Sequence, residues 1–352
     1  MKRSAKQVAQ SPSVDILALA DCVERFATKR IVLFGDFVAD EYHYGDISRV
    51  SREAPVLIIK HRETHTVPGG GANAANNFAA LGARVVAITA VGDDAAGEAL
   101  IRYFRDKRVD VSGILRVKDW TTPTKSRFLA GWAHTVGQQV LRVDREPRTD
   151  LPETARKKLR AKLSAKLRSA AAVAVSDYGF GVATPPLLRE AVSHAKNGVV
   201  FTLDARHTLR AYAKTGISSA TPNEAELESL HRATIGQNLH ELERCGRATL
   251  DEMSLQALLV TRGRDGMALF EKGGRLTHIP IHGSNQAVDV TGAGDTVLAA
   301  YTLALACGAS FLEAAHIANV AGGLVVMKRG TATVSREELL AAIRQEASGA
   351  SS

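Results

Sequence analysis

Cysteine is scarce in this chain: three among 352 residues, Cys22, Cys245 and Cys307. They are odd in number, far apart and form no C-x-x-C. That excludes a disulfide framework and a thiolate zinc site, and it fits a reducing, cytoplasmic setting. Proline is sparse too, at 10 residues, against 45% hydrophobic and 23% charged residues. This composition excludes global disorder, collagen and a coiled coil. Long apolar runs are missing. The longest charge-free one is the 17 residues between Asp295 and Glu313, with Gly308 and Ser310 inside. It reads as a buried helix plus a turn rather than a membrane span. Met1 to Val14 is polar and lacks the apolar core of a signal peptide.

Positive charge is in excess: 45 Lys+Arg against 37 Asp+Glu, a net +8. Such a balance raises nucleic acid or an anionic membrane as partners. Its location argues against both. Residues 155–168, ARKKLRAKLSAKLR, hold seven cations and no acid, with Leu159, Leu163 and Leu167 four apart. That is an amphipathic helix with a solvated basic face. No nucleic-acid recognition motif accompanies it.

The chain alternates strands and helices. Apolar runs at Ile31–Phe34, Val85–Val91, Ala171–Val175, Val199–Leu203 and Ala257–Thr261 read as buried strands. Helical stretches at 72–82, 94–107, 151–169, 185–196, 223–231 and 239–254 fall between them. This order predicts an α/β fold, a mostly parallel sheet covered on both faces. Residues 41–61 and 120–145 are rich in β-formers and have no helical period, so they read as an antiparallel β-strand lid. One domain over 15–346 is expected, with flexible tails at 1–14 and 347–352. In such sheets ligands sit beyond the carboxyl ends of the strands. Asp36, Asp177, Asp204 and Arg262 fall at those ends.

Three segments carry chemistry. The first is Asp289-Val290-Thr291-Gly292-Ala293-Gly294-Asp295-Thr296, followed by an apolar helix. Free N–H groups at a helix start make an anion site. A carboxylate there can take the proton from an attacking hydroxyl; otherwise Asp295 is a plain cap. No Walker A loop or dinucleotide fingerprint occurs. The second is Pro68-Gly69-Gly70-Gly71-Ala72-Asn73, a glycine run entering a helix. Asn73 either caps that helix or bonds a polyhydroxylated ligand. The third is Thr221-Pro222-Asn223-Glu224-Ala225-Glu226. Asn223 and Glu226 form either a capping box or a seat for hydrated Mg²⁺.

Together these segments resemble the ribokinase (PfkB-type) carbohydrate kinase family. PGGGANAANNFAALGA followed by VGDD is similar to its N-terminal signature, DVTGAGDTVLAA to its C-terminal signature, and TPNEAE to its N-x-x-E segment. Order and spacing fit over about residues 30–340. GDFVADEYHYGDISRVSREAPV, PTKSRF, LRVD, SDYGFG, LVTRGRDGM and AAHIANVAGGLVVMKRGTATVS extend the resemblance to the heptose-kinase branch. That branch is the kinase half of bifunctional ADP-heptose biosynthesis proteins.

The resemblance implies a ribokinase-like three-layer sandwich and an ATP-dependent kinase. The implied reaction phosphorylates C1 of D-glycero-β-D-manno-heptose 7-phosphate, in ADP-heptose and lipopolysaccharide precursor synthesis. Asp295 would be the catalytic base, and the Gly292, Ala293 and Gly294 N–H groups the anion hole. Asp36, Gly70, Gly71 and Asn73 would bind sugar. Lys125, Arg127, Arg142, Asp144 and Arg206 would serve the substrate and its phosphate. Asn223, Glu226, Thr261, Gly263 and Asn319 would serve ATP, with Glu226 holding Mg²⁺ through water. Asp289 and Thr291 would border a K⁺ site. A lid-mediated homodimer is expected. The chain shows no H-x-G-H, so a separate adenylyltransferase is the expected pathway partner.

Two features depart from that pattern. The family's D-P-K-G is Asp204-Ala205-Arg206-His207 here, and Arg does not simply replace Lys. The lid segment 129–144 is a few residues longer. Both touch substrate recognition. Two other readings fit the same residues: a PfkB-type kinase for another sugar or a nucleoside, or a catalytically silent sugar-binding regulator. Intact Asp295, G-A-G and N-x-x-E oppose the second.

Overall fold

The structure is a computed structural model and describes residues 14–132, 137–284 and 286–349. The expected N-terminal tail lies almost wholly outside these residues, as does part of the lengthened lid segment.

Asp15 caps the first helix, accepting from the Leu17 N–H at 3.0 Å. Helix α1 (Ile16–Glu24) leads to strand β1 (Arg30–Gly35) and then to two long strands, β2 (Phe37–Val50) and β3 (Leu57–Gly70). Helix α2 (Gly71–Ala80), strand β4 (Arg84–Gly92), helix α3 (Ala95–Asp106) and strand β5 (Asp110–Val117) follow. Strands β6 (Thr124–Gly131) and β7 (Gln138–Arg145) precede helix α4 (Glu153–Leu167). The pattern then repeats as β8 (Ala172–Asp177), α5 (Pro185–His194), β9 (Val200–Ala205), β10 (Ser219–Ala220), α6 (Glu224–His231) and α7 (Leu239–Met253). Strands β11 (Ala257–Thr261), β12 (Met267–Glu271) and β13 (Thr277–Ile279) come before three closing helices, α8 (Ala293–Ala306), α9 (Phe311–Val325) and α10 (Arg336–Gly349).

Nine strands form the main sheet, in the order β13-β12-β11-β10-β9-β8-β1-β4-β5. All its pairings are parallel except those of β12 with β11 and β13. Side chains alternate across the sheet, as strand geometry requires. On β1, Ile31 and Leu33 enter one core with α1, α2, α3, α8, α9 and α10. Val32 and Phe34 enter the other with α4, α5, α6 and α7. These are the three layers. Leu159, Leu163 and Leu167 of α4 are buried in the second core, so the basic run is the outer face of a covering helix.

The lid is a separate four-stranded sheet, β3-β2-β6-β7. Its hairpins are antiparallel, but β2 and β6 join in parallel. Strands β5, β10, β12 and β13 have no counterpart in the sequence reading. Helix α10 runs into the segment read as a C-terminal tail. Among the described residues, no helix is long and apolar enough to cross a membrane.

Candidate active site

Two cavities open beyond the carboxyl ends of the parallel strands. The first, about 390 Å³, is polar and lies under the lid, lined among others by Asp40, Asn73, Lys125, Arg127, Arg206 and Asp295. The second, about 460 Å³, is largely apolar, with Met267, Ile281, Val297 and Val326 in its wall beside Asn319. Asn223, Thr261, Val290 and Gly294 line both.

The G-A-G-D segment lies where the cavities meet. Gly292 is the N-cap of α8, with φ +77. A β-carbon there would also come within 2.5 Å of Asn73 Nδ2. Glycine is therefore required twice, by conformation and by contact. The Ala293 N–H turns back to the Val290 carbonyl at 3.3 Å, while Gly294 lies open, with nothing near its missing side chain. Asp295 sits in the first turn of α8 and is 4% exposed. Its Oδ2 accepts from Asn73 Nδ2 at 2.8 Å, and its Oδ1 from the Tyr178 hydroxyl at 3.3 Å. Burial pushes its carboxyl up to about 7, against the two donated bonds and nearby Lys125. Asn73 does not cap α2: the N-cap is Gly70, and the amide reaches Asp295 instead.

Asp36 does not reach the first cavity. It is fully buried behind the wall, and its oxygens accept three main-chain N–H groups, from Tyr178, Phe180 and Val182. Burial, then the neighbouring Asp177, push it up to about 7. This corrects the direct sugar contact expected of it. Asp40, on the lid strand β2, does line it, together with Asp177, Asp204, Glu226 and Asp295. Of the expected glycines, Gly70 and its neighbour Gly69 line the cavity and Gly71 does not; the Gly71 N–H bonds the Asp36 carbonyl.

Four cations face the first cavity: Lys125, Arg127, Arg142 and Arg206. Two are already matched. Arg127 pairs with Asp40 at 2.8 Å and lies over the Tyr42 ring. Arg142 bonds both oxygens of Asp144, at 2.9 and 3.0 Å. Asp144 thus holds Arg142 and does not line the cavity. Among the described residues, no ion pair within 4.0 Å involves Lys125 or Arg206. Burial and the adjacent Arg206 hold the Lys125 ammonium below its ordinary pKa.

Asn223 and Glu226 make the full capping box of α6 and still line the first cavity. The box uses Asn223 Oδ1 and Glu226 Oε2. Burial raises the Glu226 carboxyl, opposed by that bond and by Arg206. Thr221 Oγ1 is buried in the same wall with no partner. An orphaned hydroxyl of this kind fits a phosphate or hydrated cation. Asp204, also in the wall, is raised well above the usual carboxylate range by burial and by Glu226. Among the described residues, no three His, Cys, Asp or Glu side chains gather as a metal cage.

In the second cavity, Thr261, Gly263, Ala293 and Asn319 line the wall. Asn319 is tied to the Pro280 carbonyl at 2.6 Å. Asp289 lines neither cavity. Its oxygens accept from the Thr291 and Gly330 N–H groups, both at 2.9 Å. It therefore staples two loops. Thr291 lines the first cavity.

Asp40, Tyr178, Asp204 and Thr221 were not singled out as site residues from sequence. Tyr178 lies within SDYGFG, and Asp204 at a strand end, so both carried a signal.

Residues 28–338 match the pfkB family carbohydrate kinase. The "Bifunctional protein HldE" of Geobacter sulfurreducens is 38% identical over 314 residues, 89% of this chain and 62% of that protein. The one from Paramagnetospirillum magneticum is 36% identical, over 94% of this chain and 67% of that protein. The chain thus spans about two thirds or less of these relatives' length. Arabidopsis thaliana ribokinase, solved with ribose and ATP, has a TM-score of 0.67 at 22% identity, covering 90% of this chain and 99% of that one. Escherichia coli phosphofructokinase-2, solved with potassium, has a TM-score of 0.72 at 20% identity, covering 91% and 99%. Both show the ribokinase-like α/β fold. The expected fold and family are thus met, and the chain belongs to the pfkB family of carbohydrate kinases.

Proposed function

We propose that this chain transfers the γ-phosphoryl of ATP to the anomeric hydroxyl of a sugar phosphate. The specific substrate proposed is D-glycero-β-D-manno-heptose 7-phosphate, giving the 1,7-bisphosphate. The observation that carries the kinase reading is Asp295, buried at the start of α8 where a polar and an apolar cavity meet. The likeness to the HldE proteins supports the choice of sugar.

Asp295 takes the proton of the C1 hydroxyl as its oxygen attacks phosphorus in line and ADP leaves. The Gly292 and Gly294 N–H groups and the α8 dipole stabilise the negative charge on the transferring group. Asp40 and Asn73 orient the sugar. Lys125 and Arg206, the two unmatched cations, receive the distal phosphate. The apolar cavity takes the adenine, with Thr261, Gly263 and Asn319 at its rim. Glu226 and Asn223 would hold Mg²⁺ through water, and the ion would supply positive charge to offset that of the phosphates. Lid closure excludes water from the transfer.

In this reading the enzyme is cytoplasmic, uses ATP with Mg²⁺, and contributes to lipopolysaccharide precursor synthesis. It pairs through the lid. Leu141 and Val143 lie opposite Phe128 and Ser126 in the register. Strand alternation puts them on the face away from Arg127 and Arg142. Both are about half exposed, at 54% and 43%, which suits a second copy of the sheet. The solution mass tests that pairing.

The kinase test is phosphoryl transfer from ATP to heptose 7-phosphate, measured beside unphosphorylated heptose, ribose, fructose 6-phosphate and adenosine. A preference for any unphosphorylated acceptor rejects the heptose 7-phosphate reading. No turnover above background with any acceptor rejects the kinase.

A further inference from the structure

The loop after β8 is held from beneath. Asp36 Oδ2 accepts the Tyr178 and Phe180 N–H groups at 2.9 and 3.0 Å, and Oδ1 that of Val182 at 2.9 Å. Asp177 secures the same loop, accepting from the Gly179 N–H and the Tyr212 hydroxyl, both at 2.8 Å. The Tyr178 ring therefore lies over Gly70, where a β-carbon would come within 3.4 Å of it. The Lys125 ammonium is 5.9 Å from the ring centroid. The phenol ends 3.3 Å from Asp295 Oδ1.

The direction of this bond is set by chemistry. An ionised carboxylate only accepts, so the phenol donates. Asn73 donates to the other oxygen at 2.8 Å. Two donors on two oxygens define the plane of the carboxylate, which one donor leaves free to turn.

We propose that Tyr178 is a positioning residue for the base: its phenol fixes Asp295 Oδ1 as Asn73 fixes Oδ2, aiming the remaining lone pairs at the acceptor hydroxyl. The inference rests on reading Asp295 as the base. It assigns Asp36 a role as well, as the anchor of the loop that presents Tyr178. The phenol's bond also favours the ionised carboxylate, working against burial. Asp40 on β2 and Lys125 on β6 face Asp295, and Asp204 near the end of β9 and Arg206 just beyond it face Tyr178. None of these is altered by removing one phenolic oxygen.

Tyr178→Phe keeps the ring and removes only the donor. Asp295 is followed by carbon NMR of aspartate labelled at Cγ, with Asp295→Asn identifying its signal. We expect the Asp295 midpoint in Tyr178→Phe to lie about half to one pH unit above the parent's. The acid limb of kcat should move with it, while the KM for ATP stays unchanged. A 3-fluorotyrosine at 178, a stronger donor, should move the midpoint down. An unchanged midpoint in Tyr178→Phe overturns the proposal. Turnover in Asp295→Asn within about tenfold of the parent overturns the base itself. The titration needs no acceptor sugar, so the two failures stay distinct.

Discussion

Asn73 and Asp295 are 222 residues apart and meet side chain to side chain, with Nδ2 donating to Oδ2 at 2.8 Å. One closes the glycine run that starts α2, and the other opens α8. The contact joins the two signature segments into one site, and Gly292 leaves the space through which the amide reaches. Asn77, one turn further along α2, repeats the link by accepting from the Thr296 hydroxyl at 2.8 Å.

Asp295→Asn should lower kcat by about a hundredfold or more with the fold intact, since general-base catalysis contributes on that scale. The parent's kcat/KM should fall as pH drops through about 7, because only the ionised carboxylate accepts the proton. A pH–rate profile checks both statements, and a flat parent profile between pH 6 and about 8 contradicts the second.

The same substitution should leave the protein more stable at alkaline pH. The folded carboxyl titrates near 7, above its unfolded value of about 3.9. The folded state therefore holds the proton more tightly, and stability is lost as pH rises from about 4 through about 7. Asparagine has no such loss. Its Tm advantage over the parent should grow across that window and level off above it, as read by thermal melts at a series of pH values.

Lys125→Ala and Arg206→Ala should each raise the KM for a phosphorylated acceptor about tenfold or more, as loss of a charge-assisted bond implies. The KM for the matching unphosphorylated sugar should hardly change. Equal effects on both sugars, in steady-state kinetics, would show that these cations do not receive the distal phosphate.

Asp36→Ala should cost stability on the order of 2 kcal/mol or more, because three buried N–H groups lose their acceptor. Denaturant melts measure that cost. The variant should also lose turnover, since the Tyr178 loop hangs from this carboxylate. A variant as stable as the parent contradicts the anchoring role.

Much of this site was legible in the sequence because glycine runs and helix-start acids are local signals. The capping box at Asn223 and Glu226 and the cavity role of the same pair turned out to be compatible, not rival, readings. The resemblance implied a sugar contact for Asp36, and the strand-end rule, which concerns the backbone, put it in the right region. The rule located β1 correctly but could not say that the side chain turns inward to bind a loop 142 residues later. Asp40 stands four residues on, where the chain has left the main sheet for the lid. Tyr178 was in view as part of SDYGFG, yet its phenol acquires meaning only beside Asp295, a relation that no local pattern contains. Strands β12 and β13 pair antiparallel at the sheet's edge and break the alternation that revealed the others.

Asp36 lies between β1 of the main sheet and β2 of the lid, with no loop separating them. Its N–H bonds the Ser176 carbonyl at 3.0 Å, and its own carbonyl receives the Gly71 N–H at 2.9 Å, where the lid returns to the body. Both roots of the first lid hairpin thus converge on one residue, whose side chain grips the loop bearing Tyr178. The first lid hairpin and the loop that carries Tyr178 therefore share a single anchor, so a change at Asp36 reaches both at once.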